Sequence, residues 1–217
     1  MASSTGTDAG KTALRAEYAQ LRQAIANARK LSAYANDSRG KTAKAQVSAD
    51  AQILANLCSM DVWKRAQLVL TYVSHNGEVD THAIMRRAWG EGKRVAVPWY
   101  SPKLRTIQFF CVKSFDELGP GFHGHLEPLY HGTAPLGPVQ LVGSICLVPG
   151  LVFDGYGNRI GDGGGVYDGF LAFYPGHKVG LAHSMQISCN VLPHDSQDIP
   201  VDFLVSDAGV WTCGLDH

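Results

Sequence analysis

The chain has no surplus charge of either sign: 19 Lys and Arg balance 19 Asp and Glu over 217 residues. That balance gives no field of the kind that gathers a nucleic acid or a membrane surface, so neither is expected as a partner. No CxxC pair occurs among Cys58, Cys111, Cys146, Cys189 and Cys213, which are odd in number and widely spaced. The pattern argues against a disulfide frame or a cysteine zinc site and reads as reduced thiols inside a cell, cytoplasmic in the first instance with a mitochondrial location left open. Met1–Gly10 lacks an apolar core, so no secretory signal is expected. The longest apolar stretch, Leu141–Phe153, is broken by Gly143, Pro149 and Gly150, so no segment is expected to span a membrane. No Gly-Lys-Ser/Thr ends the glycine loop near residue 160, so that loop is not of the Walker type, and the chain has no internal repeat and no low-complexity segment.

What remains is enough for one α/β domain over residues 11–217, preceded by a disordered tail over residues 1–10. From Lys11 to Tyr34 the composition turns to good helix formers, and Leu14, Tyr18, Leu21 and Ile25 recur at helical spacing. Lys11 and Arg15, four apart, share one side of that helix; for an arbitrary pair this spacing means only a solvated face. A turn over Asn36–Gly40 and a second helix over Thr42–Cys58 follow, with Val47, Ile53, Leu54 and Leu57 facing inward.

Gln67–Val73 then reads as a strand, Asp80 as the cap of a helix over Thr81–Trp89, and Arg94–Val97 as a second strand that stops before Pro98. Strand, helix and strand in this compass make a βαβ unit with parallel strands. Thr106–Val112 reads as an edge strand in a hairpin, and Val179–Gln186 and Val201–Val205 as the last strands. His123, His125 and His131 lack the further ligands that a zinc site needs.

The most informative stretch is VPGLVFDGYGNRIGDGGGVYDGF, Val148–Phe170. It reads as a buried strand over Ile145–Pro149, a turn around Asp154, a glycine loop and a helix from Val166. Glycine takes φ > 0 at little cost, so consecutive glycines let backbone N–H groups converge on an anion. Arg159 adds a fork of donors and Asp168 a hard oxygen for magnesium.

Pro149-Gly150-x-x-Phe153-Asp154, followed by Gly157-Asn158-Arg159-Ile160-Gly161-x-Gly163-Gly164-Gly165-x-Tyr167-Asp168, resembles without a gap the signature of the 5-formyltetrahydrofolate cyclo-ligase (methenyltetrahydrofolate synthetase) family. Other landmarks agree in order from Lys11 to Asp202: the Lys11/Arg15 pair, Tyr72-x-Ser74-x-x-x-Glu78, Val97-Pro98-x-Tyr100, a Gly-x-x-Gly-x-x-Glu-Pro run ending at Pro128, Gln186, and Asp198-Ile199-Pro200-Val201-Asp202. The resemblance implies a three-layer open sheet, mostly parallel and sugar-phosphate isomerase-like, with helices on both faces. It implies ATP- and Mg2+-dependent conversion of 5-formyltetrahydrofolate to 5,10-methenyltetrahydrofolate through a phosphorylated formyl group, by a monomer or homodimer. ATP would be held by Lys11, Arg15, Arg159, Gly161, Gly163, Gly164, Gly165, Val166 and Tyr167, with no covalent protein nucleophile. The folate would meet Val73, Glu78, Tyr100 and Tyr167, and Asp168 and Asp202 would serve the metal.

Three positions depart from the family's pattern. Asp162 stands where an arginine or an aromatic is usual, Val166 replaces the first of two tyrosines, and His183 replaces a common phenylalanine. Two like charges about 6 Å apart repel by roughly 3 kcal/mol at an effective dielectric of about 20. A working phosphate cradle therefore requires Asp162 to point away or to be offset by a cation. The other class of reading is a non-catalytic folate- or nucleotide-binding paralogue on the same fold; an acid/base isomerase ranks below it, since Lys11 and Arg15 would be idle.

Overall fold

A computed structural model describes residues 4–37, 48–129 and 134–214. Helix α1 (Ser4–Asp37) begins inside the stretch expected to be a tail, so that boundary moves to Ser4. Once a helix is nucleated, each added residue gains a hydrogen bond, and the anchored positions Lys11 and Arg15 lie close behind. Asn36 and Asp37 belong to α1; the rest of the expected turn, residues 42–47 of the expected second helix and His131 lie outside the described residues. Helix α2 (Ala49–Ser59) starts after Ser48, whose hydroxyl accepts from the Ala51 amide at 3.2 Å, and α3 (Asp61–Arg65) follows.

Next come β1 (Leu68–Leu70), α4 (Thr81–Gly90) and β2 (Arg94–Ser101), the expected βαβ unit, with β1 parallel to β2 from Leu68 opposite Arg94 to Leu70 opposite Ala96. Asp80 caps α4 by accepting from the His82 amide at 2.9 Å. Strand β2 does not stop at Pro98 as expected. Its neighbour β1 ends opposite Ala96, so at Pro98 one flank is open and the missing N–H costs no ladder bond. Strand β3 (Thr106–Val112) forms the expected antiparallel edge hairpin with β2.

The remainder runs β4 (Leu118–Pro120), β5 (Leu126–Pro128), α5 (Pro138–Leu141), β6 (Ile145–Val148), β7 (Val152–Asp154), β8 (Arg159–Ile160), α6 (Val166–Leu171), β9 (His177–Leu181), β10 (Ile187–Ser188), β11 (Phe203–Ser206) and β12 (Gly209–Thr212). The strand expected over Val179–Gln186 ends at Leu181, because the Gln186 side chain accepts from the His183 amide at 3.0 Å and closes a tight turn. Strand β12 and the small β10-β7-β8 sheet carry too few residues to show a pattern in sequence.

The main sheet has the order β12-β11-β9-β6-β1-β2-β3, its five central strands parallel and an antiparallel strand at each edge. Side chains alternate between its faces. Val69, Val95, Ile145, Leu147 and Val179 pack with Ile53, Leu57, Trp63 and Met85 from α2, α3 and α4. Leu68, Leu70, Ala96, Cys146 and Val148 pack with Leu141, Leu171 and Tyr174 from α5, α6 and the turn after it. Helices on both faces thus make the three layers expected, around a large and mostly parallel sheet. Among the described residues, no helix is long and apolar enough to cross a membrane.

Candidate active site

In open parallel sheets a crevice forms at the carboxyl ends of the strands where the strand order reverses direction. Here β1 is flanked by β2 on one side and β6 on the other, so the reversal falls between β1 and β6. Tyr72, Val73 and Glu78, which follow β1, and Pro149 and Gly150, which follow β6, line a cavity of about 1530 Å³. Fold topology alone therefore places the site.

One end of the cavity is built by α1 and the glycine loop. Asp154 fixes the turn before that loop: its Oδ1 accepts from the Tyr156 and Asn158 amides at 2.9 and 3.0 Å, and its Oδ2 accepts from the Leu192 amide at 2.8 Å. The chain returns as Arg159, whose Nη2 donates to Asp168 Oδ1 at 2.7 Å; the two side chains are only 6% and 20% exposed. Arg15 Nε donates to the Gly161 carbonyl at 3.3 Å. Gly163 adopts φ +96°, which favours glycine, and a Cβ there would lie 3.3 Å from Arg15 Nε, close enough that the arginine would have to shift by a few tenths of an ångström.

Lys11 Nζ reaches across to Asp195 Oδ2 at 2.8 Å and Asp198 Oδ2 at 2.5 Å. Burial works against its charge, but the hydrogen bonds from the two aspartates outweigh that and hold its pKa above the ordinary lysine value. Tyr167 stands beneath Arg159, whose guanidinium carbon is 5.9 Å from the ring centre. Its hydroxyl is buried without a partner among the described residues, and burial pushes its pKa well up.

The other end is apolar and aromatic. Val73, Pro98, Tyr100, Ile107, Phe122 and Leu126 line it, and the Tyr100 and Phe122 rings stand 4.6 Å apart. The loop that carries Glu78 is locked by its neighbours: the Ser74 amide donates to Thr81 Oγ1 at 2.8 Å, and Thr81 Oγ1 donates to the Tyr72 carbonyl at 2.8 Å. Glu78 is 8% exposed and accepts from the His75 amide at 2.8 Å. Burial raises its pKa, with the nearby Arg22 pulling the other way.

The cavity thus gathers Lys11, Arg15, Val73, Glu78, Tyr100, Arg159, Gly161, Gly163, Gly164, Gly165, Val166, Tyr167 and Asp168. It does not gather Asp202. That carboxylate binds Lys178, accepting from its amide at 2.8 Å and facing its ammonium at 2.9 Å, at the start of β11 and β9 and so at the amino ends of the parallel strands. The pairing of Asp202 with Asp168 at a metal is therefore corrected. Asp195 and Asp198 are the aspartates of the closing segment that line the cavity.

His183 is likewise no part of the cavity wall. It is buried, with Nε2 3.0 Å from Asp50 Oδ1 and Nδ1 3.1 Å from Gln186 Oε1, which ties the end of β9 to α2. Asp162 lies 70% exposed at the rim, 3.5 Å from Arg22 Nη1. It has the cation that its position demanded.

Arg22 was not singled out from the sequence. The signal was there: residues 11, 15 and 22 are separated by four and seven, spacings that keep side chains on one stripe of a helix. A metal ion that keeps water and phosphate ligands needs only one or two protein carboxylates. Asp168 on the cavity wall fits that role, and no group of three His, Cys, Asp or Glu among the described residues makes a fuller cage.

A doubly faced, mostly parallel sheet whose switch-point cavity joins a glycine loop, four cations and an aromatic wall is the architecture of an α/β ligand-binding enzyme. A family model described as the 5-formyltetrahydrofolate cyclo-ligase family matches residues 7–207, and the chain belongs to that family of enzymes. It is 32% identical over 152 residues to the 5-formyltetrahydrofolate cyclo-ligase of Escherichia coli K12, covering 67% of this chain and 81% of that one. It is 27% identical over 184 residues to a probable 5-formyltetrahydrofolate cyclo-ligase of Caenorhabditis elegans, covering 76% and 85%. The 5,10-methenyltetrahydrofolate synthetase structure from Aquifex aeolicus superposes with a TM-score of 0.71 at 28% identity, over 95% of this chain and 96% of that one. The synthetase from Mycoplasma pneumoniae shares the fold, with a TM-score of 0.62 at 19% identity over 91% and 98%.

Proposed function

We propose that the protein converts 5-formyltetrahydrofolate to 5,10-methenyltetrahydrofolate, consuming ATP as a co-substrate with magnesium. The observation that carries this reading is one cavity with two unlike ends. At about 1530 Å³ it exceeds the roughly 300–1,000 Å³ of a pocket for one small ligand. The cationic glycine end suits a triphosphate, and the aromatic end with its buried carboxylate suits a pteridine.

The chemistry needs both. A formamide is a poor electrophile because its nitrogen delocalises into the carbonyl. Transfer of the γ-phosphoryl group to the formyl oxygen forms an O–P bond as the bond to ADP breaks. The N10 amine then attacks the formyl carbon, the new C–N bond closes the ring, and phosphate leaves with the C–O bonding pair as N10 loses its proton. Such a sequence asks the protein for alignment and charge neutralisation, not for a covalent nucleophile. Arg15, Arg159 and Lys11 neutralise the phosphates, and the glycine backbone of residues 161–165 follows their contour. Tyr167 supplies a hydroxyl that has no partner among the described residues and is open to a substrate. Magnesium, held through Asp168, would screen the charge of the transferred group.

The test is the appearance of methenyltetrahydrofolate absorbance from 5-formyltetrahydrofolate, with and without ATP and magnesium, with phosphate release followed in parallel. Product that requires both additions, with one phosphate per turnover, is the expected result. Tight folate or nucleotide binding with no turnover at saturating Mg-ATP would make the protein a binding paralogue instead.

A further inference from the structure

Arg22 lies on α1 between two carboxylates that the sequence keeps far apart. Its Nη2 donates to the Gly150 carbonyl at 3.0 Å, and its Nη1 stands 3.7 Å from Glu78 Oε1 and 3.5 Å from Asp162 Oδ1. The guanidinium is therefore in touch with the loop after β1, the turn after β6 and the rim of the glycine loop. Its side chain is 13% exposed, and its Nε is buried without a partner among the described residues. The loop of Glu78 is pressed against this part of α1. Gly77, at φ +81°, sits so close that a Cβ there would come within 2.3 Å of the Arg22 carbonyl. A guanidinium fastened to a backbone carbonyl is a fixed charge, not a mobile surface one.

We infer that Arg22 is a positioning residue of the reaction, which holds Glu78 at the pteridine end and, balanced against Asp162, sets that carboxylate's charge. This rests on the reading above for the identity of the substrate and deepens it. Asp162 then has a use. Its negative charge at the rim is shared with Arg22, and so limits how strongly Arg22 stabilises the ionised form of Glu78.

The groups around Glu78 have unlike effects. Arg22 on α1 and His75 beside it favour the ionised carboxylate, while burial and Asp162 oppose it. Tyr167 of α6 also feels the charge of Glu78, Tyr72 follows β1 beside Tyr167, and His125 stacks on His75 at 5.5 Å between ring centres. Removing Arg22 and removing Asp162 must therefore move Glu78 in opposite directions. A merely structural arginine would not carry that opposition into the acid limb of kcat/KM.

The experiment follows the carboxyl carbon of Glu78 by 13C NMR in the full chain, assigned with Glu78→Gln, and measures its titration in Arg22→Met, Arg22→Lys and Asp162→Asn. Arg22→Met should move the midpoint up by about one pH unit or more, the range for losing an opposite charge within about 4–6 Å. Asp162→Asn should move it down, and Arg22→Lys should restore most of the wild-type value. The acid limb of kcat/KM for 5-formyltetrahydrofolate should follow the same order, while the KM for ATP changes less. A Glu78 midpoint that stays put in both Arg22→Met and Asp162→Asn overturns the inference. If Arg22→Met does not fold, Asp162→Asn decides alone, since that side chain is 70% exposed. The titration needs no substrate, so failure of the wild-type protein to turn over would count against the proposed function and leave this measurement standing.

Discussion

At one end of the cavity the lining is fixed charges and glycine backbone; at the other it is mostly rings and aliphatic side chains, with the buried Glu78 and the less buried Glu127 among them. The first end is assembled from segments more than a hundred residues apart, α1 and the loops at residues 161–165 and 194–198. Its cations are spoken for within the protein: Arg159 by Asp168, Lys11 by Asp195 and Asp198, Arg15 by the Gly161 carbonyl. The second end follows β1 and β2 and takes its shape from the sheet itself. Under the proposed function a highly charged ligand would meet cations already held in place, and a flat aromatic one a wall that needs no balancing. Arg22 is the link between the two ends.

If the two ends are as distinct as this, substitutions at the cationic end should act on ATP and those elsewhere should not. The largest effect is expected for Arg159→Met. It removes one member of a largely buried pair and leaves Asp168 with only the Ile199 amide at 3.1 Å, a change that costs up to about 3 kcal/mol. Urea denaturation should show that loss, and Asp168→Asn in the same background should recover part of it. Equal losses with and without Asp168→Asn would mean that the pair is not what holds this end.

Lys11→Met comes next. Loss of one charge-assisted hydrogen bond to a phosphate is worth about 1.5–3 kcal/mol, or roughly a ten- to hundredfold rise in the KM for ATP, with the folate KM nearly unchanged. An equal rise in both KM values would break the division between the ends. The same residue makes a pH prediction. A lysine whose folded pKa is raised contributes stability that is complete below its ordinary value of 10.5 and fades as the pH climbs through the higher folded value. Wild-type protein should therefore lose stability above that ordinary value more steeply than Lys11→Met does, and parallel curves would show that the Asp195–Lys11–Asp198 contact contributes nothing.

Tyr167→Phe is expected to act with opposite signs on stability and binding. Its hydroxyl is buried without a partner among the described residues, so removing it should stabilise the protein by about 1 kcal/mol while weakening a substrate. A drop in Tm would mean that the hydroxyl is satisfied in the folded protein. The smallest effect is expected for Asp202→Asn. Its bridge to Lys178 lies partly at the surface, with 37% of the Asp202 side chain exposed, and such bridges are worth about 0–1 kcal/mol. The magnesium dependence of turnover should stay at the wild-type value. A raised metal requirement in this variant would return Asp202 to the site.

How far the sequence was legible varied with the kind of signal. The βαβ unit, the Asp80 cap and the β2–β3 hairpin were readable because hydrophobic period and capping chemistry are local properties. The glycine loop was readable because a backbone with φ > 0 at Gly163 and Gly165 restricts those positions to one residue type. Pro98 misled because its effect depends on whether a neighbouring strand still flanks β2 at that point. Asp202 misled for a similar reason: an aspartate next to a strand looks the same whether it faces a cavity or the next strand's lysine. Arg22 stood in plain helical register with Lys11 and Arg15, yet nothing local distinguished it from a solvated arginine.

The sequence by itself determined the βαβ unit, the β2–β3 hairpin, the glycine loop and the family to which the chain belongs. These follow from residue chemistry at fixed spacing along the chain. Only the tertiary structure decided which charges meet. Asp162 finds Arg22, Asp168 finds Arg159, Lys11 finds Asp195 and Asp198, and Asp202 turns to Lys178. The reason is physical: an ion pair depends on a few ångströms of separation and on burial, and both are set by strand order and helix docking, not by distance along the chain.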